Sequence, residues 1–196
     1  SETDTVSYAY SVTGTTGVTV SLASTTAQVT GGSGSDTLIR IENLIGSANA
    51  DNLTGGTGNN GLNGGSGNDT LNGGAGNDVL IGGVGKDSLT GGLGNDIFDF
   101  NALTEMGLSS TTWDVITDFF RGQDRIDLSA LDANTATTTV NEAFTTVIGS
   151  ATAFTAAGQL KVSGSVLYGN TDTDVTAEFA IQLTGITTLA TSDFVL

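Results

Sequence analysis

Between residues 46 and 99 apolar side chains arrive one to a block of nine residues, at Leu53, Leu62, Leu71, Leu80, Leu89 and Phe98, mostly between polar neighbours. One inward position between two outward ones is the period-two mark of a short strand. The six residues ahead of each strand are glycine, small or polar, which is turn chemistry. The blocks read GSANADNLT (46–54), GGTGNNGLN (55–63), GGSGNDTLN (64–72), GGAGNDVLI (73–81), GGVGKDSLT (82–90) and GGLGNDIFD (91–99). A seventh, GGSGSDTLI at 31–39, stands apart behind the insert Arg40 to Ile45.

A turn with a three-residue strand forms no sheet alone, but two such units make a coil of 18 residues, and coils stack about 4.8 Å apart through strand hydrogen bonds. The pattern therefore predicts a parallel β-helix with a core one side chain deep. Residues 18 apart lie above one another, so Asp51, Asp69 and Asp87 form one column and Asn60, Asp78 and Asp96 the opposite one. If the insert only lengthens one strand, Asp36 joins the second column. Stacked carboxylates repel by about 1 kcal/mol per adjacent pair even in bulk water. A hard divalent cation between turns, held by carboxylates and backbone carbonyls, relieves that repulsion, and Ca²⁺ suits such an oxygen cage better than Mg²⁺. A disordered Gly/Asn-rich linker would not keep Asp and Leu in fixed places; the other reading is a metal-free solenoid whose Asp and Asn ladders serve only as turn caps.

Composition narrows the chemistry. Of 196 residues 29 are Gly, and there is no Pro, Cys or His. Without His or Cys there is no Ser-His-Asp or Cys-His catalysis, no disulfide, and no zinc, haem or iron-sulfur site of the usual kind. Twenty-one acids against five bases give a net charge of −16, with the bases scattered, so nucleic acid is a poor partner. No apolar run approaches the roughly 18 residues of a membrane span, and the N-terminus lacks a secretory-signal pattern. The string GTGNNG at 56–61 matches a nucleotide-binding fingerprint but lies within the nine-residue frame with no helical pattern after it.

The blocks resemble the GGxGxDxUx nonapeptides of RTX (repeats-in-toxin) proteins. That resemblance implies an all-β, right-handed parallel β-roll, folding that depends on Ca²⁺, and bacterial type I secretion. It implies metal ligands at the first, third and sixth positions: Gly31, Ser33 and Asp36; Asp51; Gly55, Thr57 and Asn60; Gly64, Ser66 and Asp69; Gly73, Ala75 and Asp78; Gly82, Val84 and Asp87; Gly91, Leu93 and Asp96. Asn60 replaces the motif Asp, and Ser47 and Asn49 stand where Gly is expected.

The chain divides into an N-terminal β extension (1–30), the nonapeptide roll (31–99) and a C-terminal capping and export region (100–196). The run WDVITDFFRGQDRIDL at 113–128 is similar to the segment after the repeats in serralysin-like proteases. By that likeness Asp114 or Asp118 completes a calcium site on the last coil, the other reading being exposed turn acids around Gly122. Alternation from Gly158 to Leu183 predicts a small antiparallel cap. Within it Asn170, Asp172, Asp174 and Glu178 offer oxygens at positions 1, 3, 5 and 9 of an EF-hand-like loop, with Val175 where that loop wants Gly. The alternative there is a solvated acidic hairpin.

The terminal Asp193-Phe194-Val195-Leu196 is similar to the uncleaved export signal of type I secreted proteins. The expectation is a non-catalytic, monomeric fragment of a larger secreted or cell-surface protein, holding about five to eight Ca²⁺ ions and engaging the type I machinery through its C-terminus. Two alternatives stand beside it: part of a large adhesin making surface or glycan contacts, or the tail of a protease, lipase or epimerase.

Overall fold

A computed structural model describes residues 2–10, 15–31, 34–136 and 142–196. Its strands are β1 (Thr5–Ser7), β2 (Thr19–Ser21), β3 (Gln28–Val29), β4 (Ser35–Asp36), β5 (Asn43–Ile45), β6 (Asn52–Thr54), β7 (Gly61–Ser66), β8 (Thr70–Ala75), β9 (Val79–Val84), β10 (Ser88–Leu93) and β11 (Ile97–Asp99). Beyond the repeats come β12 (Asp114–Ile116), β13 (Arg125–Asp127), β14 (Thr146–Ile148), β15 (Gln159–Ser163), β16 (Val166–Asn170), β17 (Phe179–Leu183) and β18 (Phe194–Val195). Among the described residues the only helical pieces are 3-10 turns such as Leu103–Glu105 and Thr191–Asp193.

Alternate strands go to opposite walls, as turn-strand blocks paired into coils require. One sheet runs β1-β5-β7-β9-β11-β13-β18, parallel throughout; the other runs β14-β15-β16-β17-β12-β10-β8-β6-β2. Register within the repeats is 18 residues, and it stacks identical positions. One inward row is Val6, Leu44, Leu62, Leu80, Phe98, Ile126 and Phe194. The facing row is Val20, Leu53, Leu71, Leu89, Ile116 and Leu183. The leucines from Leu44 to Leu89 are at most 1% exposed, each contributing about 1.5–3 kcal/mol by burial. This is the all-β parallel roll with an antiparallel addition that the periodicity implies.

The roll extends past the repeats at both ends. Strands β1 and β2 pair in parallel with β5 and β6. At the other end β17 pairs with β12, and β18 with β13. The antiparallel strands β15, β16 and β17 continue one wall and bring a thicker core. There Phe144 and Phe179 meet edge to face with ring centroids 5.7 Å apart, and Phe98 lies 6.1 Å from Phe119. The C-terminal tail is part of this packing: Phe194 is buried, and the buried Asp193 carboxylate takes Arg121 Nε at 3.1 Å.

One expected element folds differently. Block 31–39 does not supply a roll strand, because β4 pairs antiparallel with β3 in a separate two-stranded ribbon. The insert breaks the nine-residue frame at Arg40, whose φ is +57°, and the roll resumes at β5. Asp36 therefore stays out of the second column. Its carboxylate accepts the Tyr8 hydroxyl at 3.1 Å and the Thr30 hydroxyl at 3.0 Å, and the place above Asn60 falls to Glu42, whose carbonyl accepts Asn60 Nδ2 at 2.8 Å.

Candidate metal centre

Turns of adjacent coils lie almost in contact, and this closeness makes the site. In the four blocks from Gly64 to Asp99 the glycines at the second and fourth positions hold positive φ, for example +98° at Gly65 and +126° at Gly67, where an L side chain is strained. A Cβ at Gly65 would sit 2.5 Å from the Ser47 carbonyl oxygen of the coil before. Third-position carbonyls help stack the turns: Val84 accepts the Gly67 amide and Leu93 the Gly76 amide, both at 2.8 Å. Thr57, Ser66 and Ala75 hold the equivalent places in their blocks.

Between the stacked turns run the two predicted acidic columns. In the first, the amides of Asp51, Asp69 and Asp87 donate to Oδ1 of Asp69, Asp87 and Asp114 at 2.7–2.8 Å. In the second, the amides of Asn60, Asp78 and Asp96 donate to Oδ1 of Asp78, Asp96 and Asp124 at 2.7–3.0 Å. Each bond satisfies one carboxylate oxygen. The other, Oδ2, is buried without a partner in Asp69, Asp78, Asp87, Asp96 and Asp114, all at most 1% exposed. A buried charge left unpaired costs several kcal/mol. Five in one small roll demand a counter-charge.

The surroundings of those oxygens specify its kind. A Cβ at Gly64 would meet Asp69 Oδ2 and lie 2.6 Å from the Gly82 carbonyl oxygen; at Gly73 it would meet Asp78 Oδ2 and lie 2.6 Å from the Gly91 carbonyl oxygen. Gly82 and Gly91 likewise face Oδ2 of Asp87 and Asp96. Each first-position glycine thus keeps open a cleft in which a carboxylate oxygen and, at Gly64 and Gly73, a carbonyl of the next coil converge. An all-oxygen donor set with spare negative charge fits a hard cation of the calcium type.

Desolvation acts on the same groups. Burial pushes Asp114 up to about 8, Asp69 to about 7, and Asp87 and Asp96 to about 6, and it raises Asp78 and Asp124 as well. The repulsion of neighbouring carboxylates adds to it at Asp69, Asp96 and Asp114. Backbone hydrogen bonds oppose it. These carboxyls are held back from ionising until something positive stands beside them.

The columns end on protein groups. Asp51 accepts Val18 N–H at 2.6 Å, Ser47 N–H at 2.5 Å and the Ser47 hydroxyl at 2.8 Å, so Ser47 serves where the motif has Gly. Asn60 Oδ1 accepts Gly56 N–H at 2.7 Å, in the turn that Gly55 opens, and its amide nitrogen donates to Glu42. Asp124 Oδ2 accepts Phe120 N–H at 2.7 Å. Asp124 carries no nine-residue signal, though the turn glycine Gly122 at φ +84° lies two residues ahead of it.

The two flank candidates separate. Asp114 is wholly buried and extends the first column, whereas Asp118 grips the amides of Gly91 and Gly92, one with each oxygen, both at 2.9 Å. Asp118 anchors the turn backbone. Gly31 has φ +67° and faces the Gly17 carbonyl, and Ser33 lies outside the described residues.

In the cap, one oxygen from each of Asp172, Asp174 and Glu178 falls within 4.8 Å of the others. Asn170 braces that loop: its Nδ2 donates to the carbonyls of Asp174 and Thr176 at 2.9 and 2.7 Å, and its Oδ1 accepts Asp172 N–H at 3.2 Å. Burial raises Glu178, while hydrogen bonds from Thr176 lower Asp174.

The family model for the Peptidase M10 serralysin C terminal matches residues 4–196. The chain belongs to that family, an RTX-type calcium-binding β-roll. Among solved structures it is similar to the AlgE6R3 subunit of the Azotobacter vinelandii mannuronan C5-epimerase, at 33% identity and TM-score 0.54 over 77% of this chain and 80% of that one. The AlgE6R2 subunit of the same enzyme is similar at 28% identity and TM-score 0.51, over 77% of this chain and 90% of that one. No curated protein matches.

Proposed function

We propose that this serralysin C-terminal family member is a calcium-gated folding module, unfolded where calcium is scarce and folded outside the cell, where it caps and stabilises a larger secreted protein. The observation that carries the reading is the set of five buried, unpartnered Asp Oδ2 atoms, four of them in clefts kept open by glycine. Without ions the leucine rows and glycine-rich turns face uncompensated buried charge, so metal-binding free energy becomes folding free energy. Extracellular modules bind calcium near 10⁻⁴ to 10⁻³ M, which matches a switch between cytosol and exterior.

The tail supports export ahead of folding. Phe194 and Asp193 are buried in the folded roll, so a secretion apparatus reading the C-terminus as a type I signal would meet it only in the unfolded chain. The acids of the 172–178 loop are a further calcium candidate of the same module. Among the described residues no catalytic constellation accompanies them, and we assign any activity to a domain elsewhere in the parent protein.

The test is far-UV circular dichroism of the chelated chain, followed by titration with calcium and, separately, magnesium. A cooperative rise in β signal with calcium and not magnesium is expected. A chelated chain that is already fully β and does not respond to calcium would refute the reading.

A further inference from the structure

We infer that Asn60 is a self-modifying site: in the unfolded chain the Gly61 backbone nitrogen attacks the Asn60 side-chain amide and turns it into a carboxylate, and the fold shuts that reaction off. The protection stands on the folded geometry alone. Its coupling to calcium rests on the reading above.

Asn followed by Gly is the pair most prone to this reaction, because no Cβ shields the attacking nitrogen or restrains its approach. The chain holds three such pairs, Asn60-Gly61, Asn63-Gly64 and Asn72-Gly73. Asn60 differs from the other two in standing at the sixth block position, which the five other contiguous blocks fill with Asp51, Asp69, Asp78, Asp87 and Asp96. The glycine behind it is demanded by packing: a Cβ at Gly61 would lie 2.8 Å from Asn43 Oδ1 of the coil before. The fold itself therefore places a reactive pair at the head of the second column.

The bond that forms joins Gly61 N to Asn60 Cγ. The bond that breaks is Cγ–Nδ2, and ammonia leaves with the proton given up by the Gly61 amide. Water then opens the five-membered imide. Opening at the side-chain carbonyl yields Asp with the main chain intact, and the second column gains the carboxylate its motif lacks, 18 residues from Asp78. Opening at the main-chain carbonyl yields isoAsp, whose extra main-chain carbon falls at the entry to β7, where Gly61 is in register with Asn43 and Val79.

In the folded roll none of the groups the attack needs is free. Gly61 N–H donates to Asn43 Oδ1 at 2.9 Å and to the Glu42 carbonyl at 3.3 Å. The Asn60 side chain is held at both ends, by Gly56 N–H at 2.7 Å and by the Glu42 carbonyl at 2.8 Å. Its own amide donates to Asp78 Oδ1 at 2.7 Å and its carbonyl accepts Val79 N–H at 2.9 Å. The residue is 8% exposed, which also restricts the water that must open the imide. Reaction at Asn60 thus requires local opening of the roll. Asn63 is half-buried and Asn72 exposed, and among the described residues no protein group bonds either side-chain amide. Folding slows Asn60 more than either of them.

The experiment ages the full chain at mildly alkaline pH in three samples: with saturating calcium, with chelator, and with chelator in urea. Peptide mass spectrometry with separation of Asp from isoAsp follows positions 60, 63 and 72, and far-UV circular dichroism records folding in each sample. Comparable conversion at all three positions is expected in urea, and at least about tenfold slower conversion at 60 than at 72 in calcium. Returned to calcium, aged chain carrying Asp at position 60 should bind one ion more than fresh chain by native mass spectrometry.

Equal rates at position 60 in calcium and in urea would overturn the inference, as would an unmodified position 60 in urea while 72 converts. Conversion to Asp without the gain of an ion would overturn it as well. A chelated chain that stays fully β and protects Asn60 as well as the calcium sample does would instead overturn the calcium-gated reading, with the protection by the fold still read from the urea sample.

Discussion

Stripped of metal, the roll should be more stable in mild acid than at neutrality. Asp114 stands at about 8 in the fold against 3.8 when free. Between those values the folded chain binds more protons than the unfolded one, so stability falls as pH rises. The contribution is complete below the unfolded value and is lost as pH climbs through the folded one. The slope is about 1.4 kcal/mol per pH unit, or about 3 kcal/mol between pH 5 and pH 7 for this one wholly buried residue. Asp69, with its folded value near 7, acts in the same direction over the same window, and Asp87 and Asp96 over its lower part.

Against a typical domain stability of about 5–15 kcal/mol, that difference decides whether the metal-free roll persists. The assay is far-UV circular dichroism of calcium-stripped protein at about pH 5 and about pH 7 followed by urea unfolding, a chain already unfolded without urea counting as a midpoint of zero. A higher midpoint at the lower pH is expected, and at moderate calcium the order reverses because protons compete with the ion. A metal-free midpoint that is flat, or that rises from pH 5 to pH 7, would refute the placement of uncompensated carboxyls in the columns.

Gly73→Ala should raise the calcium concentration for half-folding or prevent folding, since its Cβ would lie 2.6 Å from the Gly91 carbonyl oxygen and against Asp78 Oδ2; Gly58→Ala, with nothing within 4 Å, should leave it within about twofold. Circular dichroism titrations of the two variants check this. Asn60→Asp should add one ion to the count by native mass spectrometry and lower stability without metal, because the donor to the Glu42 carbonyl is replaced by a second acceptor. Arg121→Ala removes the partner of the buried Asp193 carboxylate and should destabilise the tail by about 1–3 kcal/mol, read as faster amide exchange at Phe194 and Val195.

The repeats were legible because one period sets everything at once. Nine residues place Leu on the core row, and 18 stack Asp on Asp, so the roll, its two inward rows and the interior of both columns follow from counting. Counting stops at the ends. The ladder goes from Asp87 to Asp114 over 27 residues and from Asp96 to Asp124 over 28, distances set by loop lengths that carry no periodic signal. For the same reason Asp36 looked like a column member while Glu42 took the place, and Asp118 looked like a ligand while it grips two amides. Ser47 and Asn60 read as defects of the motif. In the fold they give the outermost turns hydrogen bonds of their own, Ser47 to Asp51 and Asn60 to Gly56.

Because consecutive blocks alternate between walls, the array has a parity. Duplicating two blocks adds one coil, lengthens both columns equally and leaves every later strand on its own wall. Duplicating one block exchanges the walls for everything downstream: Asp114 would close the column that Asn60 begins, and the β15–β17 strands would sit over the opposite sheet. Growth or loss of such arrays by recombination should therefore be tolerated in steps of eighteen residues and resisted in steps of nine. Selection on the folded protein would then favour even numbers of added blocks over odd ones.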